Sequence, residues 1–388
     1  MRVTIDIVPM LFRSAGVKSY LYYWLRHMQP EPGTRIQTFP RLSSTCSLDH
    51  RRPPGGRISA LFQLGGVFLL NRLPAEFAQP WYPATDVFHS ARILNPPKRA
   101  KLTATIHDLT CWLLPETHLP ANVAFDRILA ERVWKRADGV ITVSESSRND
   151  AVRLLRLSRE KIQVIYPGIP DAYFSVQRQD ADSLRNRLRL VRPHLLYVGT
   201  IEPRKNVDLL LDAYAGLSDS VSSEFDLVIA GPRGWSSQAT MDRLAAAPPR
   251  VRYLGYVPED DLPALFAGAA AFVFPSLYEG FGFPVAQAMA AGVPVITSGV
   301  SSLPEVTGGA AVLIDPHSPG ELRDAISNLL TSPSRLAALS EGGRAAARRF
   351  SWPAAAAQSL EFFARVAGGS ALEAAVGGHG RPVSGEVR

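Results

Sequence analysis

Strand-like apolar runs alternate with helix-period segments along most of the chain, and this alternation limits the possible fold more than any other feature. From Arg2 to Ile165 the runs VTIDIV, LTATIHDL, GVITVS and KIQVIY are separated by helical patterns such as 122–137 and 145–155. A second series follows, HLLYVGT, FDLVIAG, VRYLGY, AAAFVFP and VPVIT. Between its first two runs lies a helix with Val207, Leu210, Leu211, Tyr214 and Leu217 on one face. Short β-type runs separated by amphipathic helices are the grammar of parallel sheets covered on both faces. The chain therefore reads as α/β, with two doubly wound, Rossmann-like domains.

The stretch DAYFSVQRQDADSLRNRLRLVRP, 171–193, is polar and strongly charged, which places the boundary there, with residues 1–175 in one domain and 193–366 in the other. Residues 367–388 lose periodicity and gain glycine, so that tail is expected to be disordered. In doubly wound folds ligands bind beyond the carboxyl ends of the strands. A ligand between two such domains would meet the turns 199–206 and 275–284.

Both turns carry suitable chemistry. In GTIEPRKN, Arg204 and Lys205 are adjacent cations ahead of an amphipathic helix, with Asn206 at the expected N-cap. They are either solvated surface charges or an anion site, since helix N-termini attract phosphates and these two side chains add a point charge and a bidentate fork. In YEGFGFPVAQAMAAGVPVIT, 278–297, Glu279 precedes Gly280, Phe281, Gly282 and Phe283, whose N–H groups lead into a second helix with Pro284 in its first turn. Gln287, one turn inside, should lean back toward the ligand that Glu279 faces.

Composition narrows the class. A net charge of +7 and a pI of about 9.5 suit phosphorylated small molecules, anionic membranes or nucleic acid without choosing among them. The two cysteines, Cys46 and Cys111, have no metal-like or disulfide-framework spacing, so a reducing cytosol is the expected setting. The N-terminal MRVTIDIVPML, with Asp6 in its apolar run, reads as a first strand and not a signal peptide. Segment 51–73 surrounds a 13-residue apolar stretch, 58–70, with Arg51, Arg52, Arg57 and Arg72. It reads as a helix on an anionic membrane surface or as a buried helix, with Gly65 and Gly66 favouring burial. The DAD at 180–182 fits a metal-binding pattern but lies among the charges of the boundary segment.

These motifs taken together resemble the GT-B fold retaining glycosyltransferases of family 4 (group 1), of mannosyltransferase-like type. The resemblance rests on SAGVKSY (14–20), TIHDLT (105–110), ITVSESSRND (141–150), VIYPGI (164–169), YVGTIEPRKNVDLLLDAY (197–214), YEGFGFPVAQAMAAGVPVI and SSLPEV (301–306), in that order. It implies that Glu279 lies beside the transferred sugar, that Lys205 and Arg204 neutralise the leaving diphosphate, and that His107 approaches the donor sugar with Asp108 supporting its turn. On spacing alone His107 also reads as a satisfied core histidine. The resemblance further implies that Gly16 lies under the diphosphate, that Thr200 stands near a position where many relatives carry arginine, and that Val257 lies against the base. Gln287 occupies the place of the family glutamate that holds the ribose, and an amide still donates to and accepts from a hydroxyl.

The expected activity is transfer of a hexosyl group, such as mannosyl, from a nucleoside-diphosphate sugar such as GDP-mannose to a glycan or lipid-linked acceptor. Retention of configuration, no metal and no nucleic-acid partner are expected. The first domain would face the acceptor and the second the donor. A sugar-nucleotide epimerase and a non-catalytic binding subunit share the fold and remain as alternatives.

Overall fold

The computed structural model describes residues 1–12, 16–41, 56–73 and 75–368. Ala15, Cys46, Arg51, Arg52 and the expected disordered tail from 369 onward lie outside the described residues. Six parallel strands build a first sheet: β1 (Arg2–Asp6), β2 (Arg35–Phe39), β3 (Val87–Ser90), β4 (Lys101–Ile106), β5 (Gly139–Thr142) and β6 (Ile162–Val164), in the order β2-β1-β3-β4-β5-β6. Six more build a second: β7 (His194–Val198), β8 (Asp226–Ala230), β9 (Val251–Gly255), β10 (Ala271–Phe274), β11 (Val295–Ser298) and β12 (Val312–Ile314), in the order β12-β11-β10-β7-β8-β9. The central strands β7 and β10 are buried along their whole length, as strands covered on both faces must be.

The second sheet reverses its strand order between β7 and β10, which pair through Ala271 with Leu195 and Phe272 with Leu196. Loops leaving adjacent strands in opposite directions open a crevice at such a point. The loops that leave here are 199–206 and 275–282, the turns singled out by sequence.

Two regions differ from the sequence reading. The charged segment 171–193 is not a linker but two helices, Asp171–Ser175 and Arg178–Leu188, the second packed on helix Leu262–Ala267 with Ala181 and Leu184 buried. Its Asp180 accepts the Gln177 amide in a capping box, so the DAD run serves a helix terminus. Helix Trp352–Gly368, reached at the end of the second series, returns to the first sheet and packs on helix Gly16–His27, β3 and β4. Trp24 Nε1 donates to Ser359 Oγ at 2.9 Å, and Phe363 packs against Trp24 and His89.

Segment 56–72 forms a helix, Gly56–Arg72, that buries one face only. Ala60, Val67 and Leu70 point inward, whereas Ile58, Leu61, Phe62, Phe68 and Leu69 are exposed, Phe62 at 79%. The buried-helix reading is thus corrected: the apolar residues exceed what one packing face accommodates. Exposed Phe77 and Trp81 follow it, and the Arg72 guanidinium sits 4.2 Å above the Phe68 ring. Among the described residues no helix is long and apolar enough to cross a membrane.

Candidate active site

Lys205 and Arg204 end the loop after β7, in the short turn Pro203–Lys205, and both side chains point at the loop after β10. Lys205 Nζ donates to Glu279 Oε1 at 2.6 Å, and Arg204 Nη1 lies 3.1 Å from the same oxygen. Arg204 also donates to the Tyr278 carbonyl at 2.6 Å and to Glu202 Oε1 at 2.8 Å. Ser276 Oγ adds a third donor to Glu279 Oε1 at 2.6 Å. The cations are therefore neither solvated nor unpaired: Glu279 and Glu202 are buried and hold them in place.

Burial alone would raise the Glu279 pKa, but Lys205, Arg204 and the Ser276 hydroxyl outweigh it and hold the carboxyl below its ordinary value. Asp108 behaves likewise: burial opposes ionisation, while Arg204 and the hydroxyl and amide of Thr110 win. Lys205 keeps further N–H donors beyond its bond to Glu279, with the Phe274 ring 5.2 Å away.

The site draws on both sheets. A Cβ on Gly280 would lie 1.9 Å from the His107 carbonyl oxygen at the end of β4, so only glycine permits this approach. Ser147 Oγ bridges the carbonyls of His107 (3.1 Å) and Gly280 (3.2 Å). The His107 ring packs edge-on against Tyr20 at 4.8 Å, and burial lowers its pKa to about 4, leaving a neutral imidazole. Among the described residues no group bonds its ring nitrogens. On the far side, Trp235 Nε1 donates to the Thr117 carbonyl at 2.7 Å.

Gly282, with φ +97°, is the N-cap of helix Phe283–Ala290, and Pro284 lies in its first turn as expected. Amides of Gly280, Phe281 and Gly282 meet no acceptor among the described residues. Gln287 is half-buried and its amide bonds to no described residue. Thr200 and Val257 are half-buried on the loops after β7 and β9. Gly16 opens the first long helix, and among the described residues a Cβ there would meet nothing within 4 Å, so no described packing demands glycine. Among the described residues none of these four is bonded to the cluster. Asn206 stands at its N-cap position, but its side chain donates instead to the carbonyls of Pro275 (3.1 Å) and Pro316 (2.7 Å).

Sequence reasoning missed Glu202, Ser276, Tyr278, Ser301 and Ser302. Glu202 stood in plain view within GTIEPRKN, where a carboxylate two residues before arginine signals a partner. The serines gave no signal, because nothing in a serine's neighbours says which backbone it will meet.

Comparison with known proteins agrees with this geometry. The family described as "Glycosyl transferases group 1" matches residues 180–346, and "Glycosyltransferase Family 4" matches residues 47–173. O-antigen chain mannosyltransferase B of Escherichia coli is 32% identical over 280 residues, 71% of this chain and 74% of that protein. MMP alpha-(1->4)-mannosyltransferase of Mycolicibacterium hassiacum is 31% identical over 239 residues, covering 61% of this chain and 56% of that protein. In fold, the chain resembles Anabaena HepE in complex with UDP and glucose, with TM-score 0.70, 19% identity and coverage of 94% and 99%. It also resembles WaaG, a glycosyltransferase involved in lipopolysaccharide biosynthesis, with TM-score 0.67, 17% identity and coverage of 94% and 100%. With one family matching each half and a relative matched over most of its own length, the chain belongs to the group 1, family 4 glycosyltransferases of GT-B fold.

Proposed function

We infer that this enzyme moves a mannosyl or related hexosyl group from a nucleoside-diphosphate donor to a glycan or lipid-linked acceptor, with retention. The observation that carries this reading is the Lys205–Glu279–Arg204 cluster at the strand-order reversal, built on the buried Glu279 carboxylate and followed by Gly280, which packs on the His107 carbonyl. The mannosyltransferase names of its relatives support the choice of sugar.

The reaction breaks the bond between the anomeric carbon and the diphosphate, so negative charge grows on the leaving group while the sugar becomes oxocarbenium-like. Fixed donors aimed at that charge supply the largest catalytic term. Lys205, Arg204 and the unpaired amides of Gly280, Phe281 and Gly282 would supply them without a metal. Glu279 would face the sugar and Gln287 the ribose hydroxyls. Retention is consistent with a front-face route in which the leaving phosphate takes the acceptor proton. Gly16, Thr200 and Val257 would border the donor.

The enzyme would act at the cytoplasmic face of an anionic membrane. The exposed face of helix Gly56–Arg72 supports this setting, as does charge: residues 1–170 carry 23 Lys and Arg against 13 Asp and Glu, and residues 171–388 carry 19 against 22. Incubation with labelled GDP- and UDP-hexoses and EDTA tests the reading. Release of nucleoside diphosphate with an α-linked product supports it; an altered free sugar nucleotide would mean epimerisation, and binding without turnover a non-catalytic subunit.

A further inference from the structure

Glu279 is held through its main chain as well as its carboxylate. Ser301 Oγ accepts the Glu279 N–H at 2.9 Å. Ser302 Oγ, fully buried, lies 2.9 Å from the carbonyl oxygens of both Glu279 and Phe281, sharing one proton between them. Ser301 also adopts φ +54°, a left-handed conformation that glycine would occupy without strain. A residue kept there against its backbone preference needs a compensating contact, and the bond to Glu279 supplies one.

The two serines grip the turn from outside the sheet. The segment that bears them follows β11, whereas Glu279 follows β10, so the turn's geometry depends on the register of two adjacent loops. Ser276, fully buried, fixes the same carboxylate oxygen that Lys205 and Arg204 take. Main chain and side chain of Glu279 are thus set by separate groups.

We propose that Ser301 and Ser302 are positioning residues for the transfer reaction: by holding the Glu279 N–H and C=O, they fix the direction in which its carboxylate meets the sugar. This rests on the assignment of Glu279 to the sugar. Neither serine contacts the reacting atoms. Their loss should therefore appear in the turnover of bound donor and in the mobility of the turn, and not in the grip on the nucleotide.

Ser301→Gly is the informative variant, because it relieves the backbone while removing the hydroxyl. Its melting temperature should equal or exceed that of the wild type, and GDP and UDP affinities by calorimetry should stay within about twofold. With whichever labelled GDP- or UDP-hexose turns over, kcat should fall about tenfold. Amide exchange in a peptide spanning 278–282 should rise about tenfold. Ser302→Thr, which keeps the hydroxyl, should retain more kcat than Ser302→Ala. Combined with Glu279→Gln, Ser301→Gly should reduce kcat little further. Wild-type kcat and exchange in Ser301→Gly, with Glu279→Gln impaired, overturn the serine role alone. An undiminished loss on the Glu279→Gln background also overturns it. Wild-type kcat in Glu279→Gln overturns the assignment of Glu279 and the proposal with it.

Discussion

The carboxylate of Glu305 accepts the Tyr166 hydroxyl at 2.5 Å and, in the same position, the amides of Glu145 (2.8 Å) and Ser146 (3.2 Å). A side chain from the second sheet's side thus caps the first turn of helix Glu145–Leu155 on the first, where an anion is favoured by the helix dipole. Glu305→Ala leaves two amides and a hydroxyl without this partner. We expect urea unfolding to show a loss of about 1–3 kcal/mol. An unchanged midpoint would mean that water replaces the carboxylate at no cost.

Lys205→Ala should lower transfer by roughly a hundredfold or more, the scale of removing one transition-state donor. It should also weaken nucleoside-diphosphate binding, if the cation meets the leaving group as proposed. Steady-state kinetics within twofold of wild type would rule out the diphosphate role.

Glu279 and Gln287 should fail in different ways. On the proposed placement Gln287→Ala would remove neutral hydrogen bonds to the ribose, each worth about 0.5–1.5 kcal/mol, so donor KM should rise and calorimetric affinity for the nucleoside diphosphate should drop. Glu279→Ala should cut kcat while leaving that affinity nearly unchanged, and Gln287→Glu should be tolerated. The reverse pattern of affinities would exchange the two roles.

Paired substitution Leu61→Glu with Phe62→Glu should abolish flotation with phosphatidylglycerol vesicles without lowering the melting temperature, both side chains being exposed. Wild-type binding should weaken as salt rises and be absent from purely zwitterionic vesicles. Flotation unaffected by the substitutions would remove this face from the membrane.

Three histidines are held neutral mainly by burial: His89, with pKa lowered to about 3, and His107 and His194, each to about 4. The unfolded chain protonates them near 6.5, so their stabilisation is complete above that pH and is lost as pH falls toward 4. Each contributes up to about 1.4 kcal/mol per pH unit in that window. Urea titrations at pH 7, 6 and 5 should show the decline, and His89→Gln should reduce its slope by about one proton. A stability independent of pH over this range would contradict it.

The long buried strands were legible because burial on both faces writes a continuous apolar run, as in β7 and β10. β2, β3 and β12 escaped. β2 is a half-buried edge strand reading RIQTF; β12 is an edge of three residues. β3 carries His89, a polar residue made compatible with the core only by the Thr103 and Thr105 hydroxyls, each 3.0 Å from a ring nitrogen. At the site, Lys205, Arg204 and Glu279 were legible because charges in glycine-broken turns are conspicuous. Their mutual pairing was not, since 74 residues separate Lys205 from Glu279.

Helix Trp352–Gly368 covers part of the first sheet, although the entire second sheet is synthesised before it. During translation Trp24, His89 and β5 would emerge early and wait for Phe362 and Phe363, leaving an apolar surface open while some two hundred residues are added. Completion of the first half is thereby tied to completion of the second. A chain stopped before Trp352 would be missing cover at its beginning and not only length at its end.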